Sequence, residues 1–224
     1  MSLRIIFFGT PQFSISTLER LIESEHEIVA VVTQPDRQKG RGQKFFNAPV
    51  KDLALKKNLL LLQPTALNEP HFIAELSRLK PDIGIVAAYG QLIPENVLSK
   101  PRLGMINLHA SLLPKYRGAS PVHRAIMAGE HFTGVTIMRI ERKLDSGNIL
   151  AKTERPIRIN ETSAEVEQDL SVTGSKLILS VLRDIVADIS VETVQDHSQA
   201  TYAPKLTKTD GLIDWSSDAG TIHN

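Results

Sequence analysis

Residues 3–13 read LRIIFFGTPQF. Leu3–Phe8 is a short run, apolar on both faces and ended by Gly9, and it predicts a buried strand. From Pro11 to Ser24, Phe13, Leu18, Leu21 and Ile22 recur at near-helical spacing, which predicts a helix directly afterwards. A strand that is apolar on both faces needs cover on both, and a parallel sheet between two layers of helices supplies it. This opening unit sets the class of fold, and much of the chain repeats it.

Glu27–Thr33 is a β-branched strand ending at Gln34-Pro35. Pro49–Asn58 suits a helix with Pro in its first turn, Leu59–Leu62 a short strand, and Asn68 a cap for a helix running to Leu79. Strands are expected at Asp82–Ala88 and Gly104–His109, and a helix at Ala119–Ala128. The alternation predicts an α/β fold, an open and mostly parallel sheet with helices on both faces. Thr133–Ile140 and Asn148–Ile157 then alternate like a hairpin that leaves the parallel register, and Thr162–Val186 reads as a long helix kinked at Gly174. Segment 35–48 is expected to be a mobile loop too polar to pack. The polar stretch 201–224, with its isolated Trp215, reads as a linker or an extension lying on the domain.

Composition narrows the classes. A chain of 224 residues with 42% hydrophobic content can bury the core of one large α/β domain. The absence of cysteine excludes a disulfide framework, a thiolate zinc site and a cysteine nucleophile, and fits a reducing compartment. The short apolar N-terminal stretch is broken by Gly9-Thr10-Pro11, unlike a signal peptide, and no apolar run reaches the roughly eighteen residues of a membrane span. We therefore expect a soluble, cytoplasmic protein without membrane contact. Net charge is only +1, but Arg37, Lys39, Arg41, Lys44 and Lys51 face the single acid Asp36, a local balance of 5 − 1 = +4. A local basic patch of this kind suits a polyanion.

The first strand runs into Gly9-Thr10-Pro11, where a dinucleotide-binding protein carries G-x-G-x-x-G. Pro11 lacks the N–H that such a loop needs, so a nicotinamide or flavin enzyme is not expected. In open α/β sheets, ligands sit beyond the carboxyl ends of the strands. Gly104–His109 ends there, with Asn107 and His109 two apart and so on one face. Asn offers an amide donor for a developing oxyanion, and His an acid or base near neutral pH. The plain alternative is a capping Asn and a surface His. Ser111-Leu112-Leu113-Pro114 forms a stiff turn beside the pair, followed by the basic Lys115-Tyr116-Arg117-Gly118. Downstream, Asp145 in Leu144-Asp145-Ser146-Gly147 could orient His109 and fix its tautomer, or simply form a turn. Ser111 lacks the G-x-S-x-G context of a hydrolase nucleophile, and His109, His123 and His131 lack metal-ligand spacing, so no metal site is expected.

Taken in order, IIFFGTPQF (5–13), TQPDRQKGRGQK (33–44), NAPVKDLA (47–54), VAAYGQLIP (86–94), INLHASLLPKYRGASPVHRAI (106–126), TGVTIMRIERKLDSGNIL (133–150) and TYAPKLTKTDGLIDW (201–215) cover almost the whole chain. Together they resemble the methionyl-tRNA formyltransferase family. The block N-x-H-x-S-L-L-P-x-Y-R-G marks folate-dependent formyltransferases, and the GRG-containing loop marks the tRNA branch. The resemblance implies a Rossmann-like formyltransferase fold and formyl transfer from 10-formyltetrahydrofolate to the α-amino group of methionyl initiator tRNA. It implies Asn107, His109 and Asp145 as catalytic residues, and Ser111, Leu112, Leu113, Pro114, Tyr89, Gly90 and Ile93 as the folate pocket. It implies tRNA contacts through Arg37, Lys39, Arg41 and Lys44, with Phe45 and Phe46 available to stack on bases. Members of that family continue into a C-terminal β-barrel, so we expect a catalytic domain at 1–188 and a linker or extension at 189–224, acting as a monomer. Two other readings stay open. One is a folate-dependent formyltransferase acting on an amino-sugar nucleotide, and the other a non-catalytic tRNA- or folate-binding module.

Overall fold

The structure is a computed structural model that describes residues 2–39 and 44–224, with side chains described outside 37–46. Strand β1 is Arg4–Gly9, and a 3-10 turn at Gln12–Ser14 leads into helix α1, Ile15–Ile22. There follow β2 (Glu27–Val32), β3 (Arg37–Lys39), β4 (Lys44–Phe46), α2 (Pro49–Lys56), β5 (Leu61–Leu62) and α3 (Pro70–Leu79). Next come β6 (Ile83–Ala87), α4 (Glu95–Leu98), β7 (Met105–His109), β8 (Arg117–Gly118) and α5 (Pro121–Met127). The chain closes with β9 (Phe132–Arg139), β10 (Ile149–Pro156), α6 (Ser163–Val186), β11 (Tyr202–Ala203) and α7 (Ala219–His223).

The main sheet has the order β10-β9-β7-β6-β1-β2-β5. The five strands from β7 to β5 are parallel, while β9 runs antiparallel to β7 and β10 antiparallel to β9. The expected α/β sheet with a terminal hairpin is thus the fold. Its strands are apolar on both faces because both are covered. On β1, Ile5 and Phe7 enter one cluster with α1, α2, α5 and α6, and Ile6 and Phe8 enter a second with α3 and α4. Burial of each such large apolar side chain contributes about 1.5–3 kcal/mol.

Helix α6 starts where the sequence places it, because Thr162 and Glu165 form a reciprocal capping box. It continues as one helix through Gly174. A Cβ at Gly174 would collide with the Leu108 side chain, so glycine serves the close approach of α6 to β7. Asn68 does not cap α3. The helix begins at Pro70, and the Glu69 carboxylate turns back to accept from the Ala66 N–H (2.9 Å) and the Thr65 hydroxyl. Segment 35–48 is not a plain loop: β3 and β4 pair antiparallel, Arg37 opposite Phe46 and Lys39 opposite Lys44. Residues 40–43, within the segment 35–48 expected to be mobile, lie outside the described residues.

At the carboxyl end of the sheet, short polar links hold neighbouring strands in register. The Ser14 hydroxyl donates to the Ala87 carbonyl (2.6 Å) at the end of β6. The Thr10 hydroxyl donates to the Tyr89 carbonyl (3.0 Å) and accepts from the Gln34 N–H (3.4 Å), joining the exits of β1, β6 and β2. Such cross-links make this end a fixed platform.

Candidate active site

Strand β7 alternates sides along its length. Ile106 and Leu108 enter the first apolar cluster and Met105 the second, so Asn107 and His109 share the Met105 face, as the spacing predicts. Asn107 is half-buried, and among the described residues nothing hydrogen-bonds its carboxamide. A polar amide held in a strand with its hydrogen-bonding capacity unspent is available to a ligand.

His109 is only 5% exposed. Its Nε2 lies 2.9 Å from the Tyr116 carbonyl oxygen, an acceptor, so Nε2 carries the proton. Its Nδ1 faces Asp145 Oδ2 at 3.7 Å, an ion-pair distance too long for a hydrogen bond. In the doubly protonated ring each N–H would face an oxygen. Tyr116 supplies its carbonyl from a left-handed backbone conformation (φ 59°), pinned by its N–H to the Thr201 hydroxyl (2.8 Å). Its phenol donates to Glu130 (2.8 Å), and burial, reinforced by the Glu130 carboxylate, pushes the phenol up to about 12. It stays a neutral donor across the physiological range.

Asp145 sits in the connection between β9 and β10, itself at φ 48°. Its Oδ2 accepts from the Gly118 N–H at 2.8 Å. Gly118 has φ 119°, and a Cβ there would meet the Ala203 carbonyl at 2.8 Å, so both its conformation and its surroundings require glycine. The terminal hairpin therefore returns Asp145 to the end of β7.

The Ser111–Pro114 turn is fastened from behind. Thr136, opposite His109 across the β7–β9 pair, donates its hydroxyl to the Ser111 carbonyl (2.7 Å) and accepts from the Leu113 N–H (3.2 Å). The Ser111 hydroxyl donates to the Lys115 carbonyl (2.6 Å), so it closes the turn. Leu113 is buried, whereas Leu112 and Pro114 are half-buried at the edge of the site. After β6, the Tyr89 ring turns inward against Phe8, at 5.4 Å and edge-on, and its hydroxyl has no partner among the described residues. Burial pushes that phenol up to about 12. Gly90 is exposed with φ 89°, and Ile93 is half-buried against the second cluster.

Of the basic segment, Arg37, Lys39 and Lys44 lie in the β3–β4 ribbon, and Arg41 lies outside the described residues. Lys51 drops out of the basic patch, because it forms an ion pair with Asp36. Gln63 donates to the same carboxylate (3.2 Å), and the two hydrogen bonds hold Asp36 below the usual carboxylate range.

Several contributors escaped sequence reading. The Tyr116 carbonyl and Gly118 N–H are backbone groups, which no residue pattern reveals. Thr136 is a polar residue inside an apolar strand, and that break in TGVTIM was a usable signal. Gln195, 4% exposed, reaches the Asp145 loop from 50 residues downstream without any local signature. Among the described residues no group of three or more His, Asp and Glu side chains gathers as a metal site.

Comparison with known proteins bears on the family and the fold. Residues 3–182 match the family model described as Formyl transferase. The chain is 44% identical over 222 residues to a methionyl-tRNA formyltransferase of Acetivibrio thermocellus, covering 99% of this chain and 71% of that protein. It is 48% identical over 217 residues to one of Pseudomonas fluorescens, covering 97% and 68%. Among solved structures, it superposes on a sugar 3N-formyl transferase crystallised with dTDP and 5-N-formyl-THF at a TM-score of 0.74 and 21% identity, covering 100% of this chain and 77% of that one. It superposes on phosphoribosylglycinamide formyltransferase of Streptococcus pneumoniae at 0.69 and 19%, covering 82% and 99%. At those identities the two structures bear on the fold alone.

Proposed function

The chain belongs to the formyl transferase family, and on that premise we propose that it moves the formyl group of 10-formyltetrahydrofolate onto the α-amino group of methionyl initiator tRNA. The observation that carries the reading is that Asp145, from the β9–β10 connection, faces His109 at the end of β7, the same strand that carries Asn107. Its methionyl-tRNA formyltransferase relatives support the choice of acceptor.

The uncharged α-amine attacks the formyl carbon, forming a C–N bond and a tetrahedral oxyanion. The unspent Asn107 N–H groups donate to that oxygen. The His109 Nε2–H, held by a neutral carbonyl, is shared with the more strongly accepting oxyanion. Collapse re-forms the carbonyl and breaks the bond to the folate nitrogen, which leaves with a proton while the new amide loses one. His109 mediates that transfer, directly or through water, and Asp145 balances its positive charge. In this reading the Ser111–Pro114 turn and the Tyr89–Ile93 segment border the donor, with Leu112, Pro114 and Gly90 presenting the accessible surface. Arg37, Lys39, Arg41 and Lys44 hold acceptor-stem phosphates.

Residues 1–188 form the catalytic domain and 189–224 an extension laid along it, and the protein works as a cytoplasmic monomer. Among the described residues no helix is long and apolar enough to cross a membrane. The test is formyl transfer from labelled 10-formyltetrahydrofolate, offered methionyl initiator tRNA and an amino-sugar nucleotide in parallel. Label on the tRNA is the expected result. Label on the sugar alone would move the chain to the sugar branch, and donor binding without transfer to either would favour a binding module.

A further inference from the structure

The segment that follows α6 is bound to the site at two points. Thr193 forms an antiparallel bridge with Ile149 at the start of β10, with both backbone hydrogen bonds at 2.8 Å. Tyr202 and Ala203 pair with Arg117 and Gly118, and the Arg117 N–H donates to the Thr201 carbonyl (2.9 Å). Between these points Gln195 is inserted and almost wholly buried. Its Nε2 donates to the Asp145 carbonyl (3.0 Å) and the Gly147 carbonyl (2.7 Å), and its Oε1 accepts from Arg117 (2.6 Å). Reversing the amide would set its NH2 against the guanidinium and its oxygen against two carbonyls, so one orientation satisfies all three partners.

Arg117 is also buried. Its second acceptor is His197 Nδ1 (2.9 Å), its Nε has no partner, and no carboxylate among the described residues forms an ion pair with it. A buried guanidinium with only neutral acceptors is an expensive arrangement to keep for stability alone. Its adjacent residue, Gly118, gives its N–H to Asp145 Oδ2. Thus Arg117–Gly118 holds the Asp145 carboxylate from one side, and Gln195 holds the Asp145 backbone from the other.

We propose that Gln195, oriented by Arg117, is a positioning residue that sets the Asp145 carboxylate against His109. It touches neither substrate in this scheme and acts only through the Asp145 loop. The proposal rests on the catalytic reading of Asp145 given above. Displacement of a catalytic group by about 1 Å can cost on the order of 100-fold in rate, which sets the expected scale.

The experiment compares the chain with Gln195→Ala, Gln195→Glu, Asp145→Asn and the two double variants that combine Asp145→Asn with each change at Gln195. Gln195→Glu keeps the acceptor for Arg117 and removes both donors to the loop, so it decides the matter if Gln195→Ala fails to fold. We expect either change to lower kcat by roughly 10- to 100-fold, with KM for 10-formyltetrahydrofolate within about threefold. In the Asp145→Asn background the same changes should cost less than about threefold, because the group they position no longer carries charge. Amide exchange at Gly118 should accelerate in both Gln195 variants, since its acceptor is the displaced carboxylate. Multiplicative losses in the double variants, or a raised KM with unchanged kcat, would overturn the proposal. If the unmodified chain formylates no acceptor, the functional reading fails separately, and Gly118 exchange alone decides the positioning: unchanged protection refutes it.

Discussion

Replacing Asn107 by Ala separates chemistry from folding more cleanly than any other change in the site. The carboxamide is half-buried and makes no hydrogen bond among the described residues, so its removal orphans no donor or acceptor. The loss is a small amount of packing at a strand end, below about 1 kcal/mol, which in a chain of this size corresponds to roughly 2–4 °C in Tm. Loss of one preorganised oxyanion donor costs about 100- to 1,000-fold in kcat, or roughly 2.7–4 kcal/mol of barrier. The same side chain should therefore be nearly silent in a thermal melt and dominant in a transfer assay. Asn107→Asp extends the argument, because it sets a carboxylate where negative charge develops and should fall below Asn107→Ala. The assay is single-turnover transfer from labelled 10-formyltetrahydrofolate to methionyl initiator tRNA, beside a melt of each variant. A transfer rate within about threefold of the parent would refute the oxyanion role. A Tm loss of more than about 10 °C would show instead that Asn107 is structural, because it far exceeds the packing term.

The remaining expectations concern stability, the donor site and tRNA. Tyr89→Phe removes a buried hydroxyl without a partner among the described residues and should raise stability by about 1 kcal/mol with unchanged KM for the donor; a raised KM would mean that the hydroxyl meets the folate. At Asp82, burial opposes ionisation, but the Arg4 N–H (2.8 Å) and the Arg102 guanidinium (2.6 Å) outweigh it and hold the carboxyl below the usual range. Its stabilising contribution is therefore complete above the unfolded value of about 3.9 and lost as pH falls through the lower folded value. Denaturant midpoints should accordingly drop less steeply below about pH 4 in Asp82→Asn than in the parent, and parallel curves would count against this assignment. Arg41→Ala should raise KM for methionyl-tRNA, leave KM for the donor unchanged, and reduce the salt slope of tRNA binding by roughly 0.7–0.9 if one phosphate contact is lost; an unchanged slope would place Arg41 away from the phosphates.

Much of the architecture follows from short-range pattern. Runs such as IIFF in β1 and IGIVA in β6 are apolar on both faces, so they belong in a sheet covered twice, and the alternation of strand and helix makes it parallel. The two-residue period of a strand puts Asn107 and His109 on one face whatever surrounds them. Thr162 and Glu165 carry the start of α6 in four residues. Where local signals compete, neighbours decide: Asn68 is a chemically adequate cap, but Glu69 and Pro70 take the helix start, and Gly174 sits where the Leu108 side chain leaves no room for a Cβ.

Other features depend on contacts between distant segments, and no local pattern encodes those. The β9–β10 connection leaves β9 beside the start of β7, where the Ile140 N–H meets the Met105 carbonyl, and Asp145 reaches His109 because that connection folds back toward the other end of the strand. Lys51 leaves the basic patch because Asp36 folds within reach of it. Gln195 and Thr201 are ordinary polar residues in a polar stretch until Thr193 bridges Ile149 and Tyr202 pairs with Arg117. Periodicity and capping are properties of neighbours along the chain, so the amino-acid order shows them directly. The distance between an imidazole and a carboxylate 36 residues apart (145 − 109) depends instead on strand order, turn direction and buried polar partners, which exist only once the sheet has closed around them.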